Sequence, residues 1–212
     1  MMPFIALIDY GMGNLRSVSK ALEKAGADIR IATSPAEAEG CCGVVLPGVG
    51  SFGDGMRNLR EHGFVDFVRK SVDSGRPFLG ICLGMQMLLE RSEEAPGVEG
   101  LGIFRGSVKQ FPLDRGEKVP HMGWNQIDHD GTNPFLRGVP AGSHVYFVHS
   151  YYADPEDASV AAATCDYMFR FAAALGRDNV FASQFHPEKS QKRGMAILEN
   201  FVNACNKNGE MN

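Results

Sequence analysis

The 212-residue sequence predicts an α/β fold: an open, mostly parallel central sheet with helices on both faces, plus an antiparallel strand extension. Two observations support this prediction. Up to Arg91, short apolar runs alternate with segments of helical periodicity, which implies a parallel sheet covered on both faces. Beyond Arg91, strand-like runs follow one another with only turn residues between them, which favours an antiparallel extension packed on the first half.

Three strand–turn–helix units make up the first half. They pair strands at 4–8, 43–46 and 77–81 with three helices. The first has Leu15, Val18, Leu22 and Ala25 on one face, the second repeats Phe64, Val68 and Val72 at helical spacing, and the third carries Leu83, Gln86, Met87 and Glu90. The second half contains predicted strands at 107–111, 121–127, 144–152, 159–164, 169–175 and 180–185, and a last helix from about Gln191. No repeat or linker interrupts the pattern, so residues 1–212 are expected to form a single domain.

Composition excludes several classes of function. The 21 basic and 25 acidic residues give a formal charge of −4, and no Lys/Arg cluster is longer than Lys192-Arg193, so nucleic acid and anionic membranes are poor candidate partners. No apolar run approaches the ~18 residues of a membrane span, and the N-terminus lacks a basic leader region; a cytoplasmic location is expected. Five cysteines without a C-x-x-C pair predict neither a disulfide framework nor a zinc site.

Glycine is abundant, with 25 residues. A phosphate-binding loop would be one explanation, but Gly11-Met12-Gly13 is followed by Arg16 where G-x-G-x-x-G needs glycine, and no Walker A string occurs. Nucleotide binding is therefore disfavoured.

Gly80-Ile81-Cys82-Leu83-Gly84 lies at a predicted strand–helix junction. A G-x-nucleophile-x-G turn holds its central residue in a strained, exposed position, and side chains at the flanking glycines would collide as the chain reverses. Cys82 is thus a candidate nucleophile; the alternative is a small buried core cysteine.

A base with its own orienting group follows the 180–185 strand, as His186-Pro187-Glu188. Positions i and i+2 of extended chain point to the same side, so Glu188 is expected to reach the imidazole. With Cys82 this completes a nucleophile, base and orienter. The N–H of Leu83 and a second N–H from 47–51 are the candidate oxyanion donors.

These strings resemble the class I (triad) glutamine amidotransferases, which hydrolyse glutamine through a cysteinyl thioester on a flavodoxin-like fold. Within that family, the chain is similar to the glutaminase subunits of imidazole glycerol phosphate synthase, an enzyme of histidine biosynthesis. The resemblance rests on residues 8–15, 47–52, 80–86, 120–125, 146–151 and 186–191. It implies Cys82 as nucleophile, His186 as general acid/base and Glu188 as orienter. It further implies an oxyanion strand of Gly48, Val49 and Gly50, whose Val49 peptide flips before catalysis, and a glutamine site of Gln86, Ser150 and Tyr151. No metal or cofactor is implied.

The resemblance also implies a partner. A glutaminase domain of this length has no room for an acceptor site, and ammonium in neutral water is no nucleophile. Ammonia would pass within a heterodimer to a (β/α)8 cyclase subunit, a lyase that makes imidazole glycerol phosphate and an aminoimidazole carboxamide ribotide. Asn14, Trp124 and Lys189 are the expected interface residues; Asn14 could instead be a helix cap and Trp124 a core aromatic.

Two alternatives stay open. The chain could serve a different acceptor synthase, such as an anthranilate or pyridoxal phosphate synthase, or act as a stand-alone amidase. It could also be a binding module that has lost catalysis, although Cys82, His186 and Glu188 are all present.

Overall fold

The computed structural model describes residues 3–114 and 116–210. The strands are β1 (Ile5–Ile8), β2 (Ile29–Ala32), β3 (Gly43–Leu46), β4 (Phe78–Ile81), β5 (Arg91–Ser92), β6 (Gly106–Gln110), β7 (His121–Ile127), β8 (Ser143–His149), β9 (Tyr151–Pro155), β10 (Ala161–Tyr167), β11 (Phe169–Arg177) and β12 (Val180–Ser183). The helices are α1 (Leu15–Lys24), α2 (Pro35–Ala38), α3 (Phe52–Glu61), α4 (Phe64–Asp73), α5 (Leu83–Gln86) and α6 (Gln191–Glu210).

The large sheet has a parallel half and a mainly antiparallel half. The order β2-β1-β3-β4-β12 is parallel throughout. From β12 the sheet continues through β11, β9 and β6 with antiparallel pairings, β10 pairs with β11, and β5 lies parallel to β6. The predicted fold class is confirmed, and the antiparallel extension joins the sheet edge to edge, while β7 and β8 form a separate hairpin.

Helices cover both faces of this sheet. One apolar cluster includes Leu22 of α1 and Phe201 of α6, and the other includes Met56 of α3 and Val68 of α4. Among the described helices and strands, four had no sequence prediction, of which α2 and β5 are short. The other two are β2, an edge strand with exposed positions, and α3, whose two glycines weaken helix propensity although Ser51 caps it.

Several predicted boundaries were wrong. The strand expected at 159–164 begins only at Ala161, after a 3-10 turn at Ala158–Val160, and the strand expected at 180–185 ends at Ser183. The run at 144–152 is two strands, because the chain leaves β7 at His149 and pairs with β6 from Tyr151; its apolar alternation continues across the break. The helix after Cys82 is one turn instead of reaching Glu90. Backbone carbonyls that would extend it are used by a loop, with Leu101 N donating to Met87 O at 2.8 Å and Phe104 N donating to Leu88 O at 3.0 Å.

The topology fixes where the candidate residues meet. β4 lies between β3 and β12, and all three run parallel, so their carboxyl ends share one edge. Gly80 of β4 pairs with Leu46 of β3, and Ile81 pairs with Ser183 of β12. The segments 47–51 and 184–188 therefore flank Cys82. Among the described helices, none has the length and apolar character needed to cross a membrane.

Candidate active site

Cys82 forms the predicted sharp turn between β4 and α5. Its φ of 54° and ψ of −108° are rare for a residue with a side chain, a strain typical of nucleophile turns. Its N–H donates to Ser183 O at 2.7 Å, which fixes the turn against the end of β12. Gly84 passes so close to β3 that a Cβ there would collide with the carbonyl oxygen of Leu46.

His186 and Glu188 are in direct contact. His186 Nδ1 lies 2.8 Å from Glu188 Oε1, and both side chains are almost fully buried, at 3% and 1% exposed. The expected extended geometry was wrong: Pro187–Lys189 is a 3-10 turn that His186 begins. The contact forms because this turn brings the carboxylate back under the ring.

His186 and Cys82 lie in the wall of the same cavity, and the two side chains interact. His186 Nε2 is buried and makes no hydrogen bond to another atom of the described residues. Burial lowers the pKa of His186, but interactions with Cys82 and Glu188 outweigh it and raise the pKa to about 9. At neutral pH this ring holds a proton beside the sulfur.

The 47–50 segment adjoins Cys82 on its other side. Val49 and Gly50 line the cavity above the nucleophile, with Val49 42% exposed. Gly48 lies behind them, where a Cβ would be 2.5 Å from Tyr10 Oη and 2.8 Å from Leu83 Cβ. Tyr10 Oη donates to Pro47 O at 2.8 Å and so holds the start of the segment.

A cavity of about 460 Å³ lies above Cys82. Most of the predicted site residues meet in its wall, which consists of Val49, Gly50, Cys82, Leu83, Gln86, Glu94, Pro120, Val148, His149, Ser150, Tyr151 and His186. Among the described residues, no group of three or more His, Cys, Asp and Glu side chains is placed to hold a metal ion.

The amide of Gln86 has a defined orientation. Its Nε2 donates to Tyr151 O at 3.1 Å and to Gln184 Oε1 at 3.0 Å, which occupies both amide hydrogens. Gln86 Oε1 is then the atom that can accept a hydrogen bond from a ligand in the cavity.

Three residues near the nucleophile had no predicted role. Gln184 is fully buried, and its Nε2 lies 3.6 Å from Cys82 Sγ. Tyr10 anchors Pro47, and Glu94 brings a carboxylate to the cavity while its Oε2 accepts from Phe52 N at 2.7 Å. Tyr10 lies inside the 8–15 motif, and Gln184 lies at the end of the predicted strand two residues before His186, so closeness in sequence to predicted functional residues was the available signal. Glu94 had no such signal.

The expected interface residues separate into two places. Asn14 caps α1, where its side chain accepts from Ser17 N at 3.3 Å. Trp124 is 47% exposed and thus no core residue, and its ring packs edge-on against Tyr146 with centroids 6.1 Å apart. Lys189 Nζ lies 5.7 Å from the centroid of the same Tyr146 ring.

Comparison with known proteins identifies the family and its relatives. The family model for glutamine amidotransferase class-I matches residues 6–205. The chain is 55% identical over 202 residues to the imidazole glycerol phosphate synthase subunit HisH of Syntrophotalea carbinolica, covering 93% of this chain and 98% of that protein. It is 52% identical over 205 residues to the protein of the same name from Geobacillus thermodenitrificans, covering 95% and 96%. The solved structure of PurLQS from Thermotoga maritima matches with a TM-score of 0.76 at 20% identity, covering 96% of this chain and 99% of that chain, a likeness of fold.

Proposed function

The chain belongs to the class-I glutamine amidotransferase family, and from this we propose that Cys82, His186 and Glu188 catalyse the hydrolysis of glutamine to glutamate and ammonia. The observation that supports this most is the buried 2.8 Å contact between His186 and Glu188, in the wall of the cavity that also contains the strained Cys82. The chain is a glutamine-hydrolysing enzyme, the glutaminase subunit of imidazole glycerol phosphate synthase, as its relatives' names and coverage indicate.

In the first half-reaction the sulfur of Cys82 attacks the side-chain carbonyl carbon of glutamine. A carbon–sulfur bond forms, and the carbonyl electron pair moves to the oxygen. The N–H of Leu83 and an N–H of the 48–50 segment would stabilise that oxyanion, each by ~2.7 to 4 kcal/mol. When the intermediate collapses, the carbon–nitrogen bond breaks, His186 gives its proton to the leaving nitrogen, and ammonia and a thioester remain.

In the second half-reaction water attacks the thioester. Neutral His186 takes a proton from the water, the carbon–sulfur bond breaks, and the sulfur leaves as thiolate beside the imidazolium. Glu188 stabilises that imidazolium and fixes the ring orientation. The raised pKa of His186 is consistent with a ring that is protonated beside the sulfur before and after turnover.

The cavity wall offers partners for both ends of glutamine. Glu94 is the carboxylate among the wall residues and suits the α-ammonium group, while Ser150, Tyr151 and Gln86 Oε1 would contact the remaining polar atoms of glutamine. Desolvated polar groups in such a wall discriminate against substrates that lack the matching group.

The ammonia is used by a partner. In imidazole glycerol phosphate synthase the acceptor chemistry belongs to the cyclase subunit, and this chain is its glutaminase. Trp124 and Lys189, which meet at Tyr146, are our candidates for the contact with that subunit, and Asn14 is a third. As part of the proposal, residues 1–212 act as one domain, in keeping with two apolar clusters built on one continuous sheet. The proposal also places the protein in the cytoplasm.

Replacing the nucleophile tests the proposal. Cys82→Ala should abolish glutamine-dependent synthesis by the complex, by up to ~10⁶-fold, while synthesis from added ammonium salt continues, because the acceptor site lies on the other chain. Cys165→Ala removes an equally buried thiol outside the cavity and should leave both activities in place.

Other outcomes would contradict the proposal. Loss of the ammonium-dependent reaction in a folded Cys82→Ala complex would contradict the division of labour. Copurification with a different synthase would assign another acceptor, and no adduct at Cys82 after treatment with a glutamine-mimicking alkylator would indicate a silent module.

A further inference from the structure

Two buried imidazoles lie beside the active site and have no role in the reaction as described above. His121 of β7 and His149 of β8 are direct cross-strand partners, and they are 4% and 6% exposed. His121 Nδ1 lies 3.0 Å from His149 Nε2. The two rings sit among aromatic side chains, with Phe147 stacked on His121 and Phe171 tilted against His149.

The contacts assign the hydrogens of both rings. His149 Nδ1 lies 2.8 Å from Tyr151 O, a carbonyl that can only accept, so this nitrogen bears the hydrogen. In the neutral ring His149 Nε2 is then an acceptor, and His121 Nδ1–H donates to it. His121 Nε2 accepts in turn, from Asn125 Nδ2 at 3.2 Å. Burial lowers the pKa of His149 to about 3 and that of His121 to about 4, so both rings are neutral at pH 7.

The hydrogen bonds that run from His121 through His149 end at the part of the cavity wall proposed to bind glutamine. The carbonyl of Tyr151 accepts from His149 on one side and from Gln86 Nε2 on the other, which uses both of its acceptor positions. The second hydrogen of Gln86 goes to Gln184, whose own amide nitrogen lies 3.6 Å from Cys82 Sγ. Hydrogen bonds thus connect the imidazole pair to the nucleophile through one backbone carbonyl and two amides.

We propose that His121 and His149 are positioning residues for glutamine hydrolysis: as a neutral pair of defined tautomer, they hold the Tyr151 carbonyl so that Gln86 presents Oε1 to the substrate. The inference rests on the proposed function. Packing alone does not account for the pair, because phenylalanine would fill this aromatic cluster without the cost of burying polar nitrogens. The two imidazoles fix the direction of the hydrogen bonds, because each ring donates with one nitrogen and accepts with the other.

Kinetics of the complete complex, with the cyclase and its ribonucleotide substrate present, test the pair. His149→Phe keeps the aromatic packing and removes both hydrogen bonds, and should raise the KM for glutamine by about tenfold, ~1.4 kcal/mol, with kcat within about threefold. His149→Asn places an amide N–H near the position of Nδ1 and should restore KM to within about threefold of the wild type. Phe171→Leu, which perturbs the same cluster without removing a hydrogen bond, is the control and should leave KM within about twofold.

A second measurement needs no variant. In ¹⁵N NMR spectra of the wild-type complex at pH 7, both imidazoles should be neutral with the hydrogen on Nδ1. A hydrogen on Nε2 of either ring, or an imidazolium, overturns the proposal. So does an unchanged KM in His149→Phe, or an equal rise of KM in His149→Phe, His149→Asn and Phe171→Leu.

The two proposals fail in different ways. If the wild-type complex does not hydrolyse glutamine, or Cys82 resists alkylation, the proposed function fails. If the wild type is active and the His149 variants behave like Phe171→Leu, only the positioning role fails.

Discussion

The imidazole of His186 illustrates how single contacts determine chemistry at the residue scale. Burial by itself would remove its charge, yet Cys82 and Glu188 on its two sides raise its pKa to about 9. A pKa above the unfolded value of about 6.5 stabilises the fold fully below pH 6.5, and this stabilisation is lost as the pH rises through 9. Stability and the protonation needed for ammonia release therefore depend on the same two neighbours.

Removing the charge of one neighbour tests this balance. Glu188→Gln keeps the size of the side chain but not its charge, so the pKa of His186 should fall from about 9, and kcat for glutamine should decrease by an order of magnitude or more. NMR titration of the His186 ring in wild type and variant measures the shift. Glu199→Gln, on the exposed side of α6, should change neither quantity. An unchanged His186 pKa in Glu188→Gln would show that Cys82 alone sustains it.

At the scale of elements, the nucleophile turn depends on how closely α5 approaches β3. A side chain at Gly84 would collide with the Leu46 carbonyl, and this backbone contact has no flexible atom to yield. Gly84→Ala should therefore destabilise the protein by several kcal/mol, in the range of severe core substitutions, as measured by chemical denaturation. Gly53→Ala in α3, where a Cβ meets only Ala95 at 3.2 Å, is the control and should be near neutral. A Gly84→Ala variant of wild-type stability would mean that β3 and α5 can separate.

The β7–β8 hairpin has the opposite pH dependence from His186. The pKa values of His149 and His121 are lowered to about 3 and about 4, so their stabilisation is complete above pH 6.5 and is lost as the pH falls towards those values. At pH 5, about 1.5 pKa units below the unfolded value, His149 alone should cost ~2 kcal/mol relative to pH 7. Denaturant unfolding at the two pH values measures the loss, and His149→Phe should reduce it. An equal loss in wild type and variant would assign the acid sensitivity to other groups.

At the scale of the whole molecule, the two faces of β7 have different surroundings. Met122 and Trp124 are 62% and 47% exposed, whereas His121 and Ile127 are buried. Alternation along a strand produces this arrangement, with one side packed on the protein and the other side free for a partner. Two exposed large apolar side chains on the same face of one strand form a patch of the kind that marks an interaction site, unlike a single exposed apolar residue.

Truncation of Trp124 tests that surface. Trp124→Ala should weaken binding to the cyclase subunit by about 2 kcal/mol or more, as for a central aromatic of an interface, and leave the unfolding temperature of the isolated chain nearly unchanged. Calorimetric titration with the cyclase measures the affinity. Ile31→Ala, equally exposed at 48% on the edge strand β2, is the matched control. Equal affinities of the wild type, Trp124→Ala and Ile31→Ala for the cyclase would show that Trp124 does not contribute to the interface.

Local features of the chain were readable from the sequence. The turn at Cys82 depends on two glycines within two residues, and the His186–Glu188 contact spans only two positions, so both could be predicted. The prediction of extended backbone between His186 and Glu188 was nevertheless wrong. The boundaries of α5 and of β8 and β9 could not be, because distant hydrogen bonds decided them: loop 100–104 ends α5, and β6 takes over pairing at Tyr151.

The sequence by itself determined the class of fold and predicted the nucleophile with its base and orienter, because each of these depends on short-range spacing. Only the tertiary structure decided which strands are neighbours. Pairing of β12 with β4 brings His186 beside Cys82 across about a hundred residues of chain, and it also places Gln184 at the sulfur. The tertiary structure alone also determined the positions of Tyr10 under Pro47, of Glu94 in the cavity wall and of the His121–His149 pair. The partners of these residues are distant in sequence and are selected by packing and hydrogen bonding in the folded state.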